Sequence, residues 1–188
     1  VLDALGGTAF TGEEGATSVA LPASSTVAVD YQEDGTTGTN SNLTIEKLRR
    51  ARFLLEEENA IQPGEEVHCV AGPSQKQSLL AHAEAQSIDT NAIRALVNGE
   101  IDTYMGFRFI FQSFQGQKNG SVRDVFIYPR SAIKFGEWQP IQTQIDLARS
   151  DKSMMPYVYM SAWWGATRMQ EVKVIRVLSD ESVIGPAA

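Results

Sequence analysis

Residues 95–114 read ALVNGEIDTYMGFRFIFQSF, and two periodicities meet inside them. Ala95, Leu96 and Val97 form the last turn of a helix, and Asn98-Gly99 supplies the left-handed exit that helices favour. From Met105 the period changes to two. Met105, Phe107, Phe109 and Phe111 share one face of a strand, with Arg108, Ile110 and Gln112 on the other. A strand this aromatic has to lie beneath a covering layer, so helix and sheet are expected in one core. Gly106, just before the strongest apolar run, marks a bend or a close approach of another backbone.

Upstream, Leu43 to Asn59 carries a helix pattern. Thr44 is the N-cap, Leu43 and Leu48 stand at the two positions of a hydrophobic staple, and Ile45, Leu48, Ala51 and Leu55 share a face with Leu54 beside it. The basic group Lys47, Arg49, Arg50 and Arg52, followed at once by Glu56, Glu57 and Glu58, reads as the solvated face of that helix. Glu66 to Ala71 is a short strand, and Gly72-Pro73 opens a helix over Ser74 to Ala83. A further short helix is expected over Asn91 to Val97. Residues 8–42, rich in Gly, Thr, Ser and Asn, form a long loop with short strands near Val19-Ala20-Leu21 and Val27-Ala28-Val29 and a tight turn at Asp34-Gly35.

Downstream the pattern is nearly all strand. Asn119-Gly120 is a hairpin pair. Val122 to Tyr128 and Ser131 to Phe135 are strands separated by Pro129, and Ile141 to Leu147 alternates with one wet face. Tyr157 to Trp164 and Met169 to Leu178 follow, meeting at Gly165. Tyr157 to Trp164 is apolar on both faces, which fits a central strand or one covered by a partner chain. Gly136 to Pro140 is where the chain passes between two subdomains. The class is α+β.

With 188 residues, 43% of them apolar, the chain can bury a sizeable core, and its formal charge of −7 argues against a phosphate-neutralising surface. No apolar run reaches the roughly 18 residues that span a bilayer. A single cysteine, Cys69, fits a reducing compartment. The segment Val1 to Gly7 resembles the end of a helix that starts before the sequence does, as in a fragment or processed product.

Motifs for phosphate loops, zinc hydrolysis, nucleotide binding and serine nucleophiles are absent from the sequence. His68 and Cys69, adjacent in a strand, point to opposite faces and cannot act as a base and nucleophile pair. His82 suits the negative end of a helix dipole. Asp102, Asp124, Asp146 and Asp151 would make a metal site only if the fold gathered them, and Asp102, Asp124 and His68 are the groups a small hydrolase or ligand-binding domain would use. No catalytic, cofactor-binding or metal residue is assigned. Trp138, Trp163 and Trp164 are anchors for a core or an interface.

An ordered set of segments resembles the major capsid proteins of tailed bacteriophages. Leu2 to Ala9 is similar to the end of the family's spine helix. Leu43 to Asn59, Glu66 to Ala71 and Pro73 to Leu80 resemble the helix, strand and short helix of its axial domain, and Ala95 to Phe111 is the strongest likeness. Asp151-Lys152-Ser153, Tyr157 to Trp164 and Gly165 to Ile175 resemble its closing peripheral strands.

The resemblance implies the Hong Kong type capsid fold, with residues 1–10 ending the spine helix, 11–135 forming the axial domain and 136–188 giving peripheral-domain strands. It also implies a non-enzymatic subunit of an icosahedral shell around packaged DNA, made in the bacterial host cytoplasm and residing in the virion capsid. Its partners would be copies of itself in pentamers and hexamers, with a scaffolding or portal protein. No sequence-specific nucleic acid, membrane or cofactor is expected. The arm, extended loop and most of the spine helix would precede Val1. Tyr157, Tyr159, Trp163, Trp164, Arg168 and Glu171 are the candidate subunit-interface residues. Another virion structural protein, of the tail tube or decorating the shell, is the alternative.

Overall fold

The computed structural model describes residues 2–35, 38–81, 103–113, 118–146 and 157–183. The expected helix at Asn91 to Val97, His82, Asp102 and Asp151 lie outside them.

The body is a seven-stranded sheet in the order β3-β11-β8-β4-β6-β5, with β7 on the edge of β8. Its strands are β3 (Thr26–Val27), β4 (Val67–Ala71), β5 (Thr103–Tyr104), β6 (Phe107–Phe111), β7 (Lys118–Asn119), β8 (Val122–Pro129) and β11 (Ile175–Asp180). β8 is central because it is apolar on both sides: Val125 and Ile127 face one way, Phe126 and Tyr128 the other, and all four are buried. It runs antiparallel to β11 and β4, whereas β4 and β6 are parallel.

One face of the sheet is covered by α2 (Ile45–Glu57). Ile45, Leu48, Ala51 and Leu55 pack on Val67, Cys69, Phe107, Phe109, Val125 and Ile175. The cap is as expected, with the Thr44 hydroxyl accepting from the Lys47 amide at 3.3 Å, and Leu43 and Leu48 both fully buried. The helix α3 (Pro73–Ala81) adds Leu79 to this side. The other face meets α1 (Leu2–Gly6) through Leu5, which packs in one cluster with Val70, Phe126, Tyr128 and Ala132. A small hairpin of β1 (Ala9–Thr11) and β2 (Thr17–Val19) follows α1.

Lys47 departs from the expected solvated face. Its ammonium lies fully buried and donates to four carbonyl oxygens, those of Ser41 (2.7 Å), Val29 (2.8 Å), Leu178 (3.0 Å) and Asn42 (3.1 Å). One side chain thus ties the long loop, α2 and β11 together. A second tie closes the end of β11. Burial works to raise the Glu181 carboxyl, but hydrogen bonds from Lys118, Arg123 and Gln75 outweigh it and hold it below the usual carboxylate range.

Three strand readings change. Met105 is not the first residue of the aromatic strand. It and Gly106, both at positive φ (52° and 77°), form the two-residue turn between β5 and β6, a geometry whose twist matches that of the strands it joins. Gly136 to Pro140 is no linker, because β9 (Ile133–Asp146) runs through it without a break. The strand expected from Met169 starts only at Ile175. β10 (Tyr157–Arg168) continues straight past Gly165, and a 3-10 turn over Glu171–Lys173 intervenes. The span 136–188 is therefore divided: β9 and β10 stand apart, while β11 returns to the main sheet between β8 and β3.

Candidate functional site

β9 and β10 pair only with each other among the described residues, as an antiparallel ribbon. Twelve residues of β10 at about 3.3 Å each give it a length of roughly 40 Å. Two register shifts interrupt the ladder, between Ser161 and Trp163 and between Trp163 and Trp164. Such bulges increase local twist and re-aim side chains, and here they set the two tryptophans opposite Gln139 and Glu137. Trp164 donates its indole N–H to Glu137 Oε1 at 3.4 Å and its ring lies 6.5 Å from that of Phe135.

The ribbon is exposed on both faces. Trp138 is 90% exposed, Trp163 64% and Met160 63%, and Tyr157, Tyr159 and Trp164 are also exposed. Ile141 and Ile145 on β9 and Val158 on β10 add aliphatic surface. At about 100 Å² left uncovered on each large side chain, the apolar surface approaches 1,000 Å² over the two faces together, so each face alone matches the largest patch of a typical monomer. A two-stranded ribbon is itself only marginally stable in water. No described residue covers Tyr157, Tyr159, Trp163 and Trp164, so they are not part of the core that the described residues form.

Arg168 and Glu171 belong to a different place. The Arg168 side chain is fully buried at the root of the ribbon. Its guanidinium donates to the carbonyls of Leu5 (2.6 Å), Gly7 (2.9 Å) and Val19 (3.2 Å) and pairs with Glu171 at 2.5 Å. The last carbonyls of α1 have no partner within the helix, so a forked, permanently charged donor is drawn inward to them. Arg168 is therefore an internal clamp between α1, β2 and β10, and as a surface contact residue it does not stand. Phe135, Ile141 and Ile145 also belong to the apolar surface and were not among the candidate interface residues; Trp138 between them breaks their period of two, at the register shifts that interrupt the ladder.

No catalytic geometry appears among the described residues. His68 and Asp124 sit on the same side of neighbouring strands, but His68 is level with Tyr128, four residues along β8 from Asp124. That is about 13 Å along the strand, too far for a shared proton. His68 lies against the Tyr128 ring, with centroids 5.9 Å apart, and burial raises the Asp124 carboxyl against the opposing charge of Arg176. Cys69 is buried on the opposite face, where desolvation pushes its thiol up and out of reach of ionisation. Among the described residues no group of three or more His, Cys, Asp or Glu could hold a metal ion, and no helix is long and apolar enough to cross a membrane.

A family profile described as phage capsid protein matches residues 1–181. Comparison with curated proteins finds no match. The fold is similar to solved phage structures. The capsid of cyanophage P-SCSP1u superimposes with a TM-score of 0.54 at 12% identity, over 75% of this chain and 45% of that one. The capsid of Ralstonia phage GP4 gives 0.53 at 12% identity over 86% and 53%, and the structure from Mycobacterium phage Che8 gives 0.52 at 13% over 69% and 46%. These likenesses show the α+β capsid fold, and the chain spans about half the length of the structures it matches.

Proposed function

The chain belongs to the phage capsid protein family, and from that premise we propose that it forms part of a shell subunit whose β9–β10 ribbon is covered by neighbouring copies. The observation that carries this reading is the ribbon itself: roughly 40 Å of two-stranded sheet with aromatic side chains on both faces and no layer on either among the described residues. Permanent interfaces bury roughly 2,000–5,000 Å² and are rich in Trp and Tyr, which is what the ribbon offers.

On this reading residues 11–135 together with β11 form the axial body, residues 1–10 end the spine helix, and the ribbon is the peripheral part. Copies tile as pentamers and hexamers around packaged DNA in the virion, after synthesis in the host cytoplasm, with a scaffolding or portal protein as further partners. The subunit performs no catalysis. The net charge of −7 keeps the shell from adhering to the DNA it encloses. The helix α2 packed on the sheet speaks against a tail-tube barrel or a decorating sandwich.

Electron microscopy of the full-length gene product tests the proposal. Closed icosahedral particles are expected, and a product that stays monomeric under all assembly conditions would overturn it.

A further inference from the structure

The two outer edges of the ribbon are not equivalent. β9 carries the devices by which strands protect a free edge: Lys134 and Glu137 bring charge, and Pro140 lacks the donor that an added strand would need. β10 carries none. From Val158 to Thr167 it has no charged residue and no proline, and among the described residues it pairs only with β9. A long apolar edge free of charge and proline is a template for another strand.

We propose that this edge of β10 pairs antiparallel with β10 of a second copy across a two-fold axis, joining two ribbons into one four-stranded sheet. This deepens the reading of the chain as a shell subunit, and it rests on that reading for its choice of partner. A self-complementary edge needs a strand that does not repel itself and can donate along its length. The uncharged run from Val158 to Thr167 meets both conditions, whereas Pro140 in the middle of β9 cannot donate to an added ladder. Strand-to-strand contact over roughly 36 Å, about 10 Å thick, buries on the order of 800 Å² in total, at the low end for a specific contact. The pairing is therefore weak in isolation and strengthened when many subunits are held in one lattice.

Sedimentation of the chain across a concentration series, with Met160→Lys and Val158→Lys on β10 and Ile141→Lys on β9, tests this. The unmodified chain is expected to dimerise with a Kd of order 10 µM. Each β10 variant weakens the dimer at least ten-fold, and the β9 variant leaves it within about three-fold, with circular dichroism confirming the fold in all three. A chain that stays monomeric, an open-ended aggregate in place of a dimer, or equal loss from variants of both strands overturns edge pairing. Shells formed by the full-length gene product carrying Met160→Lys as readily as by the parent would overturn the edge while leaving the shell-subunit reading intact.

Discussion

Replacing Lys47 by methionine tests how this fold holds its long loop. The substitution keeps volume and helix propensity but removes an ammonium that donates to Val29, Ser41, Asn42 and Leu178. The Val29 and Ser41 carbonyls each keep a backbone donor, from Ser41 and Asp180 at 3.0 Å, so the carbonyls of Asn42 and Leu178 carry most of the loss. Each buried carbonyl left short costs roughly 1–3 kcal/mol, and relief of the buried charge offsets part of that, so a net loss of about 1–3 kcal/mol is expected.

The same side chain leaves a signature in pH. Desolvation lowers its pKa from 10.5 to about 8, against the attraction of Asp30 and Asp180. The folded chain thus binds this proton less tightly than the unfolded one, and stability rises with pH between about 8 and 10.5, while the full cost of the buried charge is present below 8. A shift of that size corresponds to about 3 kcal/mol at most. Cys69 and Tyr128, whose pKa values burial raises, act in the opposite sense at higher pH, so the contribution of Lys47 is the difference between parent and variant. Urea denaturation of both chains at several pH values measures it. A loss below about 1 kcal/mol at pH 7, or parallel pH profiles, would refute the reasoning.

Arg168→Met should free α1 and the β1–β2 hairpin from the sheet, at about 2–4 kcal/mol. Hydrogen exchange should quicken at the Gly7 amide, which bonds the Asp3 carbonyl, before the central strand β8 is affected. Met105→Gly should change stability by no more than about 1 kcal/mol in thermal melts, because relief of the φ of 52° offsets the lost packing of the side chain on the core. Gly106→Ala, at a φ of 77°, should lower it. The Cys69 thiol should stay unmodified by a soluble disulfide reagent in the native chain and react only on unfolding.

How much of this was legible from residues alone depends on the range of the forces involved. Local signals held for the Thr44 cap and the aromatic face Phe107–Phe109–Phe111, each set by neighbours within a few positions, while the reversal expected at Asn119-Gly120 falls one residue later, at Gly120-Ser121, with Asn119 paired to Val122 in the ladder. The continuity of β9 through Gly136 to Pro140 was hidden, because Gly and Pro signal breaks, and only pairing with β10 across the ribbon keeps those residues extended. Lys47 was read as solvated from its charge, yet it stands three residues after Thr44 and four before Ala51, on the buried stripe. Periodicity placed it correctly where residue type did not. Arg168 misled in the same way, since the carbonyls that draw it inward lie some 150 residues earlier in the chain. For the apolar surface, the sequence marked Tyr157 to Trp164 as covered on both faces, but only the fold shows that the cover does not come from the described residues.

The account stands or falls on what lies against that ribbon in an assembled particle. A cryo-electron microscopy reconstruction of shells built from the full-length gene product should show Trp138, Trp163 and Trp164 buried against neighbouring copies. Shells in which these three side chains still face solvent, or are covered only by their own subunit, would contradict it.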